Sequence, residues 1–150
     1  MPVYVNTVEI TDDAVFKEMQ YHPAASQALA RDTAARALVI KELMRQAAVD
    51  HGLLDDAASD DLVDAGIMTL VQQNVSVPNA DRAACKRYYR QNIERFKVAG
   101  KGLDVLPFQQ VENKIQDYLH ARSWRQGIQF YIQSLAGRAK IIGFDLCVPI

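Results

Sequence analysis

Few residues in this sequence have an obvious chemical use. Only two cysteines occur, Cys85 and Cys147, and they are far apart in the chain. We interpret them as reduced cysteines of a cytosolic protein, with a disulfide between them as the alternative. His22, His51 and His120 have no motif spacing among themselves, and no cysteine or carboxylate lies at a metal-ligand offset beside them. Zinc motifs, phosphate-binding loops and a Gly-x-Ser-x-Gly elbow are absent. We therefore expect no metal, no cofactor and no catalytic residue.

Strong charge and long apolar runs are also missing. The formal net charge is −1, so we do not expect broad electrostatic binding to nucleic acid. No apolar run approaches the length of a membrane-spanning helix, so we expect no membrane partner. The first residues show no signal peptide, which leads us to expect a cytoplasmic location. With 150 residues, the sequence predicts one soluble domain, residues 1–150.

Helical periodicity dominates what is present. Alternating residues at Val3–Val5 and Val8–Ile10 predict two short strands or one bent strand. Thr11 is a good N-cap for a helix that reaches Gln20. Four further helices are predicted, from Ala24 to Asp50, after a Ser59 cap, from an Asn79 cap to Phe96, and from Pro107 to Ala136. A late strand within residues 139–146 is expected to pair with the N-terminal strands. The fold class is therefore mainly α, with five helices, a long C-terminal helix and short paired terminal strands.

Spacing along the middle helices predicts which residues face the core. For the second helix, the predicted inner face is Leu29, Thr33, Ala37, Ile40, Met44 and Ala47. For the third helix, it is Val63, Ile67, Leu70 and Val71. For the fourth helix, it is Cys85, Tyr88, Tyr89, Asn92, Ile93 and Phe96.

The fifth helix carries two apolar stripes that lie about 180° apart. The first stripe is Phe108, Val111, Ile115 and Leu119, and the second is Trp124, Ile128, Tyr131 and Leu135. A helix of about 30 residues is about 45 Å long, so its halves are expected to pack against different partners. Those partners are two lobes of one chain, or the chain and a second copy. The alternative is a helix that breaks near Ser123 and folds back. We predict a homodimer or domain swap through the second stripe.

Aromatic residues are the candidates for binding a polypeptide client. By the angular count, Tyr118 lies between the two stripes and Phe130 lies beyond the end of the first, so both are expected at an exposed edge. Tyr88 and Tyr89 are the further client-binding candidates. The basic residues of the fourth helix form either a solvated face or an electrostatic contact with an acidic client. These are Lys86, Arg87, Arg90, Arg95 and Lys97.

Several segments in order resemble the chaperone region of parvulin-type peptidyl-prolyl isomerases of the SurA-like class, in particular the bacterial branch with the nitrogen-fixation accessory parvulin. The matching segments are residues 5–10, 18–23, 34–43, 77–78, 85–89, 92–96, 106–108, 118–119, 121–124, 131–132 and 135–139. They cover nearly the whole chain. The family pattern has glycine after the early asparagine, whereas this chain has Thr7, which argues against a tight hairpin there.

The resemblance implies a specific absence. In such proteins the isomerase module lies between the helix that ends at Phe96 and the helix that begins near Pro107. Here a linker of ten residues, 97–106, separates residues 1–96 from residues 107–150. We therefore expect no isomerase activity, but a chaperone-like module that binds unfolded or maturing polypeptide clients. Natural loss and excision of the module both remain open. The competing interpretations are a helical assembly protein that dimerises without binding clients, and a residual enzyme.

Overall fold

The computed structural model describes residues 2–98 and 104–146 of the chain. The helices are α1 (Asp12–Met19), α2 (Gln27–Asp50), α3 (Asp60–Asn74), α4 (Arg82–Gln91) and α5 (Phe108–Arg138), with a 3-10 helix at Ile93–Phe96. The strands are β1 (Val3–Val5), β2 (Val8–Ile10) and β3 (Ile141–Ile142). The mainly α prediction, with five helices and a long C-terminal helix, is confirmed. Within the described residues, none of these helices has the length and apolarity needed to cross a bilayer.

Two compact units make up the chain. The first contains the residues up to 74 and those from 129 onward, and the second contains residues 75–128. Helix α5 contributes to both, because its residues 108–128 belong to the second unit and the rest to the first. Each unit has its own buried core.

The short strands form an antiparallel sheet in the first unit, in the order β2-β1-β3. The predicted pairing of the terminal strands is thus confirmed, although β3 is much shorter than residues 139–146. Val5 pairs with Val8, so a tight two-residue turn joins β1 to β2 despite Thr7, and the opposite inference from the sequence is wrong. Asn6 takes the left-handed conformation itself (φ 55°), which asparagine tolerates better than most residues.

The helix caps follow the chemistry predicted from the sequence, with shifted positions. Thr11 accepts a hydrogen bond from the Ala14 amide, as expected. The α2 cap is Ser26, so this helix begins at Gln27 instead of Ala24. The α4 cap is Asp81 instead of Asn79, because its carboxylate accepts from the Ala84 amide at 2.7 Å.

The predicted inner face of α2 is wrong. Its buried residues are Ala30, Ala34, Ala35, Val39, Leu43, Met44, Ala47 and Ala48. Of the six predicted residues only Met44 and Ala47 are among them, and Leu29 is 52% exposed. The reason is that α2 packs against α1, α3 and both N-terminal strands, so more than one side of it is buried. A single stripe at helical spacing does not describe a helix with several neighbours.

The α3 prediction holds at three of four positions, since Val63, Leu70 and Val71 are buried. The fourth buried residue is Gly66 in place of Ile67. A Cβ at position 66 would meet the Leu54 side chain at 2.5 Å, so the absent side chain makes room for Leu54.

Helix α5 is continuous through Ser123, so the alternative of a broken helix is wrong. Val111, Ile115 and Leu119 from the first stripe join Cys85 in the core of the second unit. From the second stripe, Leu135 packs against the core of the first unit, which contains Val5, Val39 and Leu43. The two halves of the helix therefore contribute to two cores, as two lobes of one chain require. The helix ends at Arg138, two residues beyond the predicted end at Ala136.

Of the two cysteines, Cys85 lies among the described residues. Cys85 is a buried free cysteine of the second unit. Burial raises the pKa of its thiol, with further contributions from Glu112 and Asp81, so the thiolate is disfavoured. Cys147 lies outside the described residues.

Candidate functional site

Three of the four predicted client-binding aromatics come together in the second unit. The aromatic cluster consists of Tyr88, Tyr89, Phe96, Phe108 and Tyr118. Its four ring pairs have centroid separations from 5.1 to 6.3 Å, within the range of favourable aromatic contacts. Phe130, the fourth candidate, belongs to the first unit and is not a member of the cluster.

Local structure explains how α4 positions the cluster. Tyr88 and Tyr89 lie in the last turn of α4, where they pack with the buried Cys85. The Asn92 side-chain amide donates to the Tyr88 carbonyl at 3.0 Å, and the chain continues as a 3-10 helix. That change of helix type places the Phe96 ring against both tyrosine rings.

The residues that flank 99–103 hold α4 and the start of α5 in one unit. The Leu106 amide donates to the Phe96 carbonyl, and the Val98 amide donates to the Asp104 carbonyl, both at 2.8 Å. An antiparallel bridge joins Lys97 to Val105. The Tyr89 hydroxyl donates to the Leu106 carbonyl at 2.6 Å, which ties the aromatic cluster to this junction. The rest of the predicted linker, residues 99–103, lies outside the described residues.

One edge of the cluster combines tyrosines with arginines. Tyr118 is 40% exposed, as the angular count predicts, and its ring centroid lies 5.3 Å from that of the half-buried Tyr88. Arg95 donates from Nη1 to the Tyr88 hydroxyl at 3.1 Å. The Arg122 guanidinium lies 5.8 Å from the Tyr118 ring centroid, in cation–π range. We call Tyr88, Arg95, Tyr118 and Arg122 the tyrosine–arginine surface.

The charges of this surface act on Tyr118. Hydrogen bonding with Tyr88 is the main cause that lowers the pKa of the Tyr118 hydroxyl, and partial desolvation opposes it. The positive charges of Arg95 and Arg122 lower this pKa further. The result is an apolar platform beside two guanidinium groups and two phenolic hydroxyls. Such an arrangement can hold an apolar side chain and a carboxylate of one ligand together.

The remaining predicted residues are not members of this surface. Phe130 is 72% exposed, as expected for an edge position. The predicted dimer-contact residues Trp124, Ile128, Tyr131 and Leu135 are all half-buried. The Tyr131 hydroxyl is buried and has no hydrogen-bond partner among the described residues. Its pKa is raised, chiefly by desolvation.

Sequence reasoning missed the roles of two arginines. Arg95 was predicted only as one member of a basic face, and Arg122 was not singled out. Arg122 follows Tyr118 by four residues on a helix, a spacing that brings side chains together and was the available signal. Arg95 follows Tyr88 by seven residues, but the chain changes from α4 to a 3-10 helix between them, so regular α-helical spacing does not predict this contact.

The described residues contain no group of three histidine, cysteine or acidic side chains that could hold a metal ion. The tyrosine–arginine surface is the candidate site because of its own geometry. Neither a family model, nor a curated protein, nor a solved structure matches this chain.

Proposed function

We propose that this chain is a chaperone-like module that binds polypeptide segments, of the SurA-like class found in parvulin-type isomerases, and that it lacks the isomerase domain. It holds unfolded or maturing clients without catalysing proline isomerisation. The observation that carries this proposal is the tyrosine–arginine surface, where exposed aromatic area and positive charge occur together.

The energetics of such a surface suit an unfolded client. Tyr118 exposes part of its ring to water, so contact with an apolar client side chain releases that water. Tyrosine and arginine are the residue types in which binding energy concentrates at protein interfaces. Arg95 and Arg122 add attraction for client carboxylates, and salt weakens this attraction because both guanidinium groups are exposed.

The segment between α4 and α5 supports the second half of the proposal. Ten residues, 97–106, occupy the position where the resembling proteins carry the isomerase module. Hydrogen bonds between residues 96–98 and 104–106 turn the chain back on itself. We therefore expect the chain to hold its clients without isomerising their prolines.

A test of the holding activity follows directly. A chemically unfolded enzyme is diluted into buffer with the full chain present, and its aggregation is followed by light scattering. We expect the wild type to suppress aggregation and the double variant Tyr118→Ser/Arg122→Gln to need about tenfold more protein for the same effect. Met68→Ala, an exposed apolar residue of the first unit, is the matched control and is expected to behave as wild type. Equal suppression by the double variant and the wild type would contradict the proposal.

The second assay separates holding from catalysis. The refolding of a substrate limited by prolyl isomerisation is measured with and without the chain, and we expect no acceleration. Acceleration by the purified protein would favour the residual enzyme.

Assembly without clients is the second candidate function, and the half-buried apolar residues Trp124, Ile128 and Tyr131 of α5 favour it. Apolar side chains that the fold leaves partly exposed can be covered by a second copy of the chain. A dimer that persists on dilution and does not change client aggregation would support assembly over client binding.

A further inference from the structure

A second apolar surface lies in the first unit, and its charge is opposite to that of the tyrosine–arginine surface. Helices α1 and α2 and the segment after β3 line a groove with a volume of about 770 Å³. Ligand sites typically have volumes of about 300–1,000 Å³. We call it the α1–α2 groove. Its apolar lining residues are Val3, Val15, Phe16, Met19, Ala28, Ala35 and Phe144.

Phe16 is the unusual residue of this groove. Its neighbour Val15 is buried against α2, whereas the Phe16 side chain is 75% exposed, the most exposed large apolar side chain in the described residues. An aromatic side chain at the margin of an apolar groove offers area that the fold itself does not bury.

Charge identifies the kind of partner that this groove accepts. Asp12, Asp13 and Asp32 line it, and none of the three forms an ion pair with another described residue. Two guanidinium groups are near, because Arg31 lines the groove and Arg36 lies 5.4 Å from the Phe144 ring centroid. Carboxylates still outnumber them. Asp12 and Asp13 also interact favourably with the positive end of the α1 dipole, but Asp32 lies beyond the first turn of α2 and has no such role.

We propose that the α1–α2 groove binds a cationic amphipathic polypeptide segment of another protein. Apolar side chains of the segment contact Phe16, Met19 and Val15, and its lysines or arginines pair with Asp12, Asp13 and Asp32. The mode is that of an amphipathic helix that lays its apolar face in a groove. This site goes beyond the proposed client surface, because it lies in the other unit and selects the opposite charge.

The test uses the full chain and a labelled synthetic peptide of leucine, lysine and alanine. Its leucines recur at i, i+3 and i+4, and its lysines occupy the other face. Fluorescence anisotropy gives the dissociation constant for the wild type and its variants. We expect Phe16→Ala to weaken binding about tenfold. Asp32→Lys is expected to weaken it several-fold and to reduce the dependence of binding on salt.

Matched controls exclude general effects of the substitutions. Met68→Ala removes a 59% exposed apolar residue outside the groove, and Glu9→Lys reverses an exposed acidic charge on β2. Both are expected to bind the peptide as the wild type does. Tyr118→Ser, which alters the other unit, is expected to bind it unchanged as well.

Three results would overturn the inference. The first is equal binding by Phe16→Ala and the wild type. The second is a preference for the peptide in which glutamate replaces every lysine. The third is a concentration-dependent self-association that Phe16→Ala abolishes in sedimentation, since the occupant would then be a second copy of this chain.

Discussion

At the level of single residues, Tyr118 shows how neighbours set the chemistry of a side chain. Its exposure was predictable from its angle on α5, since it lies between the two apolar stripes. Its partners Tyr88 and Arg95 come from the end of α4 and the 3-10 helix that follows, so they depend on how the second unit packs. The sequence therefore predicted that Tyr118 would be exposed, but not that its pKa would be lowered.

The lowered pKa of Tyr118 gives a residue-level prediction for alkaline pH. A tyrosine whose pKa is lowered becomes phenolate at a lower pH than an ordinary tyrosine. Because hydrogen bonding with Tyr88 is the main cause, Tyr88→Phe is expected to move this ionisation to higher pH. Phenolate absorbance measured against pH follows the transition, and Tyr118→Phe identifies it by removing it.

Tyr89→Phe is the matched control for this titration. The Tyr89 hydroxyl donates to the Leu106 carbonyl and has no part in the pKa of Tyr118, so the Tyr118 transition is expected to stay in place. An unchanged transition in Tyr88→Phe would show that Tyr88 does not stabilise the Tyr118 phenolate.

At the level of secondary-structure elements, the sequence predicted the positions of the helices better than it predicted which of their residues are buried. The predictions for the faces of α3 and α4 and for the first stripe of α5 agree with most of the packing, because the residues packed there recur at helical spacing. The prediction for α2 failed because this helix is buried on several sides. Five of its eight buried residues are alanines, namely Ala30, Ala34, Ala35, Ala47 and Ala48. Small residues allow close approach of neighbouring elements, but they carry a weak periodic signal.

The contact between the segment after β3 and the start of β1 leads to a prediction about stability. Gly143 has φ +82°, and a Cβ there would collide with the backbone carbonyl of Pro2. Gly143→Ala is therefore expected to lower the free energy of unfolding by about 2 kcal/mol or more, because the clash is with backbone and the conformation is strained. Urea denaturation followed by circular dichroism measures the change.

Gly137 supplies the matched comparison, since it lies in α5 with no atom near its would-be Cβ. Gly137→Ala is expected to raise the free energy of unfolding by about 0.5 kcal/mol, from helix propensity. The same loss of stability in both variants would mean that the positive φ and the contact with Pro2 do not constrain position 143.

At the level of the whole molecule, the change of apolar face along α5 was the most useful signal in the sequence. It predicted that the two halves of one helix pack against different partners, and Val111 and Leu135 do lie in different cores. The division into units at residues 74–75 and 128–129 was not predicted, because it depends on contacts between segments far apart in the sequence. The α1–α2 groove was not predicted either, because its lining residues Phe16 and Phe144 are far apart in the sequence.

Self-association remains a prediction, and the structure sharpens it. Leu135 already packs against the core of the first unit, so Trp124, Ile128 and Tyr131, which are also half-buried, are the candidates for contact with a second copy. We expect a homodimer in light scattering, and we expect Trp124→Ser/Tyr131→Ser to weaken it more than Phe108→Ser, because Phe108 packs in its own chain's core.

Tyr131→Phe distinguishes assembly from a loss of folding, because it keeps the ring and removes only the hydroxyl. In a monomer the buried hydroxyl has no acceptor, so its removal is expected to raise the free energy of unfolding by about 1 kcal/mol. In a dimer the free energy of unfolding also rises with protein concentration, for the variant as for the wild type. Urea denaturation at two concentrations separates a monomer from a dimer. A monomeric mass at high concentration, together with a stability that does not change with concentration, would refute the dimer, and the stripe would then serve only the folding of one chain.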